Sequence, residues 1–320
     1  MKRLHGILVA AIVVMLAGAL ALGAAACGDD KDKDEDATPT SAAAEPTEEQ
    51  VSVEPGTLPI TTLEYRFEAP ETISGGLTAI TLDNPGGEDH QAQLLKLNEG
   101  VTMEQLSDAL SADESGAAAL ALVTVGGGVN AVPAGGGTSE AIVDLEPGTY
   151  AMLCFVSNAE GVPHFALGML SELEVTEPTE EADTPAGDHA ITATDYAFSA
   201  PTTAVAGETT VQFVNSGTEA HELSVVKLED GTTAEDLLGL FTAPEEPTPA
   251  EGEPTPTTPA DQAPPFTAVG GIGAIPPGPG SDAWWIQDLE AGTYGLLCFV
   301  PNSEGVPHAA LGMIATFTVE

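Results

Sequence analysis

The sequence predicts an all-β protein made of two tandem copies of one β-sandwich domain, each with a short helix, behind a secretory leader. Three observations predict this: a long internal repeat, many short strand-like segments bounded by turns, and a composition with 35 Gly, 25 Pro and 5% aromatic residues. Such a composition is typical of turn-rich β domains joined by linkers and unlike that of helical bundles. A chain of 320 residues has room for two ordinary domains.

The internal repeat is the strongest of these features. Residues 145–169 and 289–313 are identical at 19 of 25 positions. Upstream, three further segments of the first copy match three of the second in the same order: 84–90 with 215–221, 93–100 with 224–231, and 125–133 with 269–277. Because the matches extend over most of both copies, the whole domain is duplicated.

The repeat also predicts the domain boundaries. Residues 55–176 form the first domain, residues 177–188 an acidic linker, and residues 189–320 the second domain. The offset between copies is 131 residues at His90 and His221 and 144 at Cys154 and Cys298, so the second copy holds 13 extra residues. These fall in residues 243–265, a Pro-, Thr- and Glu-rich insertion that we expect to be disordered or polyproline-like.

Local patterns predict the elements of each copy. One helix per copy is expected, at residues 102–110 and 233–241, because each begins at a Thr with acidic or amide residues in the first turn. Gly-rich turns are expected before the strands that start at residues 141 and 283. Predicted strands cover residues 77–82, 90–97, 141–144, 148–154 and 171–175 in the first copy, and 210–214, 221–228, 283–287, 292–298 and 315–319 in the second.

The N-terminus predicts secretion. Lys2 and Arg3 precede an apolar stretch over residues 7–22, and small residues lead to Cys27. This segment resembles a bacterial lipoprotein leader, which implies a signal peptide over residues 1–26, lipidation of Cys27 and an extracytoplasmic, membrane-anchored protein. An uncleaved anchor or plain cleavage near Ala26 is the alternative. Residues 27–54 are acidic and rich in Pro, Thr and Ala, so we expect a disordered tether.

The net charge limits the partners of the chain. There are 50 acidic residues against 7 basic ones, a formal charge of −43. Such a surface repels nucleic acid and anionic lipid headgroups, so nucleic-acid binding is excluded. The charge favours either steering of a basic protein or a cation, or simply solubility.

The cysteine count excludes a disulfide within either domain. Of three cysteines, Cys27 belongs to the leader junction, and Cys154 and Cys298 are equivalent positions of the two copies. An unpaired thiol outside the cytoplasm is exposed to oxidation unless it is deeply buried or bound to a metal.

Histidines and methionines repeat together with these cysteines. His90, His164 and Met169 of the first copy match His221, His308 and Met313 of the second. Each copy therefore holds His, Cys, His and Met in that order, with a Cys-x9-His-x4-Met spacing. Two imidazoles, a thiolate and a weak axial thioether form a trigonal copper site.

This arrangement resembles the cupredoxins, the plastocyanin-like blue-copper family. The first His follows an Asn-x-Gly turn, the Cys ends a Gly-x-Tyr-x-x-x-Cys strand, and the second His and a Gly-Met pair share one loop. The resemblance covers most of residues 55–320 and implies Greek-key β-sandwiches with one copper per domain. It implies as copper ligands His90, Cys154, His164 and Met169 in the first domain, and His221, Cys298, His308 and Met313 in the second.

The sequence departs from the family at two points. Nine residues separate the Cys from the second His, where blue-copper proteins have two to four, and Gly161 to Pro163 offer a way to fold this loop back. The residue after the first His is Gln91 or Glu222, where the family has Asn or Asp, which changes the support of the Cys sulfur. The alternative is a domain that has lost copper and kept the fold.

The function expected from this resemblance is one-electron transfer at the outer face of a membrane, with a redox protein as partner. The alternatives are a copper carrier without redox turnover and a metal-free interaction or adhesion module. An enzyme is not expected, since the chain has no His-x-His motif. Electron transfer predicts an accessible edge of His164 or His308 and an apolar rim that includes Phe165 and Leu167.

Two further pairs of residues carry expectations. At least one of the consecutive Trp284 and Trp285 should face outward, because side chains alternate along a strand. Packing against the other domain is the favoured role of that tryptophan, and a docking or electron-transfer contact is the alternative. Lys96 and Lys227 are matched and should each pair with a nearby carboxylate.

Overall fold

In the computed structural model, the residues described are 53–112, 117–242 and 264–320. They belong to one compact unit, Gln50–Glu320. The predicted signal peptide, Cys27, most of the tether and nearly all of the Pro-rich insertion lie outside the described residues. The domain boundaries at 55–176 and 189–320 stay predictions.

The described residues form β-strands with few helices, which confirms the all-β fold class. The helices are α1 (Met103–Ala112), α2 (Ala117–Leu120) and α3 (Ala234–Thr242). The strands of the first repeat are β1 (Gly56–Leu63), β2 (Arg66–Glu68), β3 (Thr72–Ser74), β4 (Gly76–Asn84), β5 (His90–Leu97), β6 (Val123–Val132), β7 (Gly137–Leu145), β8 (Gly148–Leu153) and β9 (Leu170–Thr176). Those of the second are β10 (His189–Thr194), β11 (Ala197–Ser199), β12 (Thr203–Ala204), β13 (Gly207–Asn215), β14 (His221–Leu228), β15 (Phe266–Ile275), β16 (Asp282–Leu289), β17 (Gly292–Leu297) and β18 (Ile314–Val319).

The two repeats share both of the sheets that these strands form. One sheet runs in the order β11-β10-β13-β16-β7-β4-β1-β2, and the other in the order β12-β18-β17-β14-β15-β6-β5-β8-β9-β3. In the first sheet the repeats meet where β16 pairs antiparallel with β7 over four residue pairs. In the second they meet where β15 pairs with β6 at Ile272 and Val129.

Alternation along the strands builds the core between the sheets. In β4 every second residue is buried, and β13 repeats the pattern, so their apolar side chains face the opposite sheet. Ile80, Leu82 and Phe213 are fully buried members of the main core, which is continuous across both repeats. Burial of side chains of this size contributes about 1.5–3 kcal/mol each.

Helices α1 and α3 begin where the sequence predicts, whereas the single-turn helix α2 was not predicted. At α1, Thr102 accepts a hydrogen bond from the Gln105 amide at 3.2 Å, and the Gln105 side chain accepts one from the Thr102 amide at 2.9 Å. This reciprocal pair is a capping box, and Thr233 with Asp236 repeats it at α3. Within the described residues no helix is long and apolar enough to span a membrane.

The glycines of β6 and β15 lie inside strands, and the predicted Gly-rich turns follow them. In β6, Gly128 has a φ of +125°, and a Cβ there would collide with the Ala92 carbonyl oxygen. Gly271 of β15 meets the Leu223 carbonyl in the same way, with a φ of +123°. Both glycines lie beside a register shift at which β6 or β15 carries one residue more than its partner strand. Glycine inside a strand therefore marks a β-bulge, whereas residues 134–136 and 279–280 form the turns expected before residues 141 and 283.

The expectation that one of the two tryptophans faces outward is wrong, whereas the strand that carries them does pack against the first repeat. Trp284 and Trp285 are both buried, 4% and 1% exposed. Strand β16 lies in the middle of the eight-stranded sheet, so Trp285 faces the core and its Nε1 donates to Ser139 Oγ of the first repeat at 2.8 Å. Trp284 lines a cleft whose other wall is formed by the linker around Glu180. The linker therefore covers the face of β16 that strand alternation alone leaves exposed.

Candidate metal centre

Two groups of His, Cys and His come together in the structure, one per repeat. In the first, the Nδ1 atoms of His90 and His164 lie 3.1 Å apart, and Cys154 Sγ lies 4.0 and 3.5 Å from them. In the second, His221 Nδ1 and His308 Nδ1 are 3.1 Å apart, and Cys298 Sγ lies 3.8 and 3.5 Å from them. All six side chains are completely buried.

The first histidine of each group begins a strand that is covered on both faces. His90 begins β5, in which the first six consecutive residues are all buried, and His221 begins β14 in the same way. Strand β5 pairs antiparallel with β8 from Gln93 and Leu153 onward, so His90 lies beside the end of β8, where Cys154 follows. The pairing of β14 with β17 places His221 beside Cys298 in the same way.

The nine-residue loop between Cys154 and His164 closes on itself. The Asn158 side-chain oxygen accepts hydrogen bonds from the amides of Glu160 and Val162, at 3.1 and 2.9 Å. An isolated bridge joins Ser157 to Pro163 at the base of this turn. The extra residues therefore form a small hairpin that leaves its two ends close together, and Asn302 builds the same turn in the second repeat.

Backbone hydrogen bonds hold the second histidine below this hairpin. The amide of His164 donates to the Val156 carbonyl at 2.8 Å, and that of Phe165 donates to the Cys154 carbonyl at 3.0 Å. His164 opens a single 3₁₀ turn, His164–Leu167, which ends at Gly168 with a φ of +110°. The hairpin thus accommodates the extra residues between Cys154 and His164, and the longer loop still places His164 next to Cys154.

Met169 follows this turn and is also completely buried. Its amide donates to the His164 carbonyl at 3.0 Å, and its carbonyl accepts from the Cys154 amide at 3.3 Å. The backbone of Met169 is therefore bonded to the two residues nearest the predicted metal position. Met313 is buried in the same way and donates to the His308 carbonyl at 2.9 Å.

Burial keeps the donor atoms uncharged. Burial lowers the pKa of His90 to about 4 and also lowers the pKa values of His164, His221 and His308. It raises the pKa of Cys154 to about 11, and it raises that of Cys298 further. Both imidazoles thus offer free lone pairs, and a thiol proton must leave when a cation binds.

The donor set fits copper. Soft thiolate sulfur suits Cu(I), and imidazole nitrogen suits both oxidation states. The Gln91 amide points at Cys154 Sγ at 3.4 Å, which helps a thiolate there. Since the ligand atoms of each group all lie within 4.8 Å of one another, His90, Cys154 and His164, or His221, Cys298 and His308, could hold a single ion between them.

A carboxylate lies against the far nitrogen of each second histidine, which the sequence analysis missed. Glu88 Oε2 is 3.2 Å from His164 Nε2, and Glu219 Oε2 is 3.0 Å from His308 Nε2. Among the described residues neither Nε2 atom has a hydrogen-bond partner with suitable geometry, so the two carboxylates are close to the imidazoles but not in line with their N–H or lone-pair directions. The signal in the sequence is a Glu two residues before His90 and before His221.

A tyrosine covers each carboxylate. Tyr196 OH donates to Glu219 Oε2 at 3.0 Å, and its ring lies 5.0 Å from that of His308. Tyr65 lies 5.1 Å from His164, and its hydrogen bond to Glu88 raises the pKa of the phenol. Both tyrosines have positive φ, 56° and 63°, a costly conformation for a bulky residue that both repeats keep.

The expected accessible edge of His164 or His308 is therefore wrong, because carboxylate and tyrosine cover it. The expected apolar rim is partly present: Leu167 is 38% exposed, while Phe165 is half-buried. Phe155, which directly follows Cys154, is 41% exposed and packs edge-on against Phe165 at 5.6 Å. Phe299 and Leu311 occupy the matching positions of the second repeat with similar exposure.

The matched lysines form the predicted ion pairs outside the two groups. Lys96 Nζ lies 2.7 Å from Glu146, and Lys227 Nζ lies 2.7 Å from Glu290. Both pairs are largely exposed, so each contributes little to stability.

Comparison with known proteins found no matching family model and no matching curated protein. Among solved structures, auracyanin A from Chloroflexus aurantiacus, a "blue" copper protein, is 23% identical over 38% of this chain and 99% of its own, with a TM-score of 0.25. A multicopper oxidase is 13% identical over 82% of this chain and 88% of its own, with a TM-score of 0.23. A copper nitrite reductase from Nitrosomonas europaea is 11% identical over 83% of this chain and 94% of its own, with a TM-score of 0.21. The likeness is one of fold, and it assigns no reaction to this chain.

These matches correct one prediction. The chain was not expected to be an enzyme, but the structures that match more than four-fifths of it include multicopper oxidases and copper nitrite reductases, which are enzymes. The prediction of a non-enzyme is withdrawn.

Proposed function

We propose that the chain binds copper at both groups and transfers single electrons through them. The observation that carries the proposal is the convergence of two Nδ1 atoms and one Sγ in each repeat, despite a nine-residue loop between Cys and His. The proposed ligands are His90, Cys154, His164 and Met169 at one site, and His221, Cys298, His308 and Met313 at the other. One copper is proposed per repeat.

The protein contributes a prearranged set of donors. The start of β5, the end of β8 and the hairpin around Asn158 each hold one donor through backbone hydrogen bonds. Rigid donors favour electron transfer, because a site that changes little between oxidation states has little to reorganise. Copper, when bound, supplies the one-electron change between Cu(II) and Cu(I).

The electron route leads through the cysteine side of each site. Both histidines of the first site are completely buried, whereas Phe155, next to Cys154, is exposed together with Leu167. This apolar rim is the proposed contact for a redox protein. The charge of −43 favours a basic partner and steers its approach.

The cellular context of the proposal comes from the leader. A lipid at Cys27 anchors the protein to a bacterial membrane on its extracytoplasmic side, and the acidic tether lets both sites reach a partner. Mass spectrometry of the N-terminal peptide tests the anchor: a diacylated Cys27 is expected, and an unmodified cleavage product starting elsewhere contradicts it.

The metal-free alternative predicts loop histidines that point away from the cysteines, and the copper proposal is supported by the opposite arrangement. His164 Nδ1 lies 3.5 Å from Cys154 Sγ, and His308 Nδ1 lies 3.5 Å from Cys298 Sγ. A copper carrier without redox turnover would use the same ligands. The two functions therefore differ only in whether the bound copper can be reversibly reduced and reoxidised.

Copper reconstitution tests the proposal. The full chain is purified in detergent, reduced, loaded with copper and examined by visible absorption and metal analysis. An intense thiolate-to-copper band with two coppers per chain is expected, and Cys154→Ser/Cys298→Ser should abolish it. Colourless protein without stoichiometric copper overturns the ligand assignment. A band that does not return after one cycle of reduction and reoxidation favours the carrier.

A further inference from the structure

We propose that the chain binds two basic redox proteins at the same time, one at each end of its shared ten-stranded sheet. The inference rests on the proposed function and adds to it the number of partners and the places where they dock. Each partner contacts the apolar rim of one metal centre, so the two sites exchange electrons with separate proteins.

The rim of the first site lies beyond the end of two paired strands. Strands β8 and β9 pair up to Leu153 and Leu170, and Phe155 and Leu167 lie in the loop that continues past this pair. These two side chains are 41% and 38% exposed. A partner therefore reaches this site at the end of the sheet, next to Cys154.

The rim of the second site repeats this arrangement. Strands β17 and β18 pair up to Leu297 and Ile314, and Phe299 and Leu311 lie in the loop past that pair, 39% and 41% exposed. The two rims thus present the same residue types with nearly the same exposure, so a partner that fits one of them fits the other.

The two rims lie at opposite ends of the sheet. The repeats meet where β6 and β15 run antiparallel and pair at Val129 and Ile272. From this pair, the residue opposite His90 lies three positions further along β6, and the residue opposite His221 lies three positions further along β15. Because the two strands are antiparallel, these steps lead in opposite directions.

Strand geometry gives the separation of the two sites. Strands β5 and β14, which begin with His90 and His221, are three strand spacings apart in the sheet. At about 4.8 Å per spacing and about 3.4 Å per residue along a strand, the backbones of these histidines lie about 25 Å apart. A partner of about 100 residues has a radius of gyration of about 13 Å, so one such protein seated at one end does not cover the other rim. Two of them at opposite ends do not collide.

Charge identifies the partner as basic. Exposed or partly exposed carboxylates belong to, or contact, the loop that carries each rim. They are Glu88 and Glu160 at the first rim, and Glu219 and Glu304 at the second. The Lys and Arg side chains of residues 53–112, 117–242 and 264–320 are all ion-paired with glutamates: Arg66, Lys96 and Lys227. Apolar contact surfaces surrounded by negative charge favour a partner with positive charge around its own apolar contact.

The number of bound partners tests the inference. The full chain is loaded with copper in a non-ionic detergent, oxidised, and mixed with oxidised cytochrome c, a small basic haem protein. Because both proteins are oxidised, no electron is transferred and the experiment measures binding alone. At about 0.1 M salt, where the Debye length is about 10 Å, sedimentation followed by haem absorption should show two cytochrome c molecules per chain. Raising the salt to about 1 M should weaken binding at least tenfold.

Lysine substitutions assign each partner to its rim. Leu167→Lys places a positive charge in the first rim and Leu311→Lys in the second, so each should lower the number bound from two to one, and the double variant should bind none. If these variants lose the thiolate–copper band and so fail to fold, Glu160→Lys and Glu304→Lys reverse an exposed charge in the same loops and should each weaken binding at one rim at least tenfold.

Val205→Lys is the matched control. Val205 is 76% exposed and lies beside the C-terminal end of β18, whereas Leu311 precedes the other end of that strand. The variant adds the same charge to an exposed apolar position outside both rims, and it should still bind two cytochrome c molecules.

The outcomes separate this inference from the function it rests on. If the unchanged chain shows no thiolate–copper band, the proposed function fails, and the inference with it. If copper is bound but the chain binds one cytochrome c or none, or if the lysine variants at the rims leave the number bound unchanged, copper binding stands and docking at two ends is overturned. The same holds if Val205→Lys lowers the number as much as the rim variants do.

Discussion

The carboxamide of Gln93 joins the two repeats where their ten-stranded sheet has the fewest paired residues. Strands β6 and β15 share a single register pair there, Ile272 with Val129. Gln93 Nε2 donates to the carbonyls of Gly127 and Ala274 at 2.9 and 3.2 Å, and its Oε1 accepts from the Ala274 amide at 2.7 Å. The side chain is 2% exposed, so water does not replace these bonds.

Gln93→Met keeps the length of the side chain and removes every one of these hydrogen bonds. The buried Ala274 amide then loses its acceptor. The carbonyls of Gly127 and Ala274, and that of Leu94, which lies 3.0 Å from Nε2, lose a donor. A buried polar group left without a partner costs about 1–3 kcal/mol. Since one amide and three carbonyls are affected, we expect the free energy of unfolding to fall by about 3 kcal/mol or more.

Urea unfolding of the copper-free protein, followed by circular dichroism and extrapolated linearly, measures this loss. Gln212→Met is the matched control, because Gln212 is partly buried and its amide makes one side-chain hydrogen bond, to Asp282 at 3.1 Å within the second repeat. That variant should lose about 1 kcal/mol or less. If both variants lose the same amount, Gln93 does not hold the seam and the reasoning is refuted.

Three further predictions follow from the same structure. Trp285→Phe removes the indole donor that lies 2.8 Å from Ser139 Oγ and should lower the free energy of unfolding in urea by about 1–3 kcal/mol. Adding Ser139→Ala should recover part of this loss, because the hydroxyl left without a partner is then removed as well. If the two losses simply add in the double variant, the two side chains are not coupled. Gly217→Ala places a Cβ 2.6 Å from His221 Nε2, while Gly86→Ala places one 3.4 Å from His90 Nε2, so metal analysis should show copper lost from the second site in the former and retained in the latter. Because burial raises the pKa of Cys154 from 9.0 to about 11, Cu(I) must displace a thiol proton below that range, and competition titration of Cys298→Ser should show affinity rising tenfold per pH unit between pH 7 and 9. Copper affinity that does not change with pH would contradict the assignment of Cys154 as a ligand. By the same linkage, the copper-free protein should lose stability as pH rises from 9.0 to about 11, because the Cys154 thiol ionises at lower pH in the unfolded chain than in the folded one.

The sequence determined those features that depend on neighbours along the chain. The strand alternation of β4, the capping box at Thr102 and the order His, Cys, His, Met are all local or repeated patterns. The repeat made the predicted donors stand out, because the same residues recur in both copies while six of the 25 positions around Cys154 and His164 differ. These patterns were sufficient to predict the all-β fold class and the residues that converge.

Only the tertiary structure decided how those parts meet. The pairing of β16 with β7, the burial of Trp284 under the linker and the contact of Glu88 with His164 join residues far apart in sequence. The need for a glycine at position 128 becomes visible only in the structure, where the Ala92 carbonyl occupies the place of a Cβ. Such contacts depend on how closely two distant backbone segments approach each other in space. Hydrophobic periodicity and residue propensity describe neighbours along the chain and carry no information about the distance between such segments.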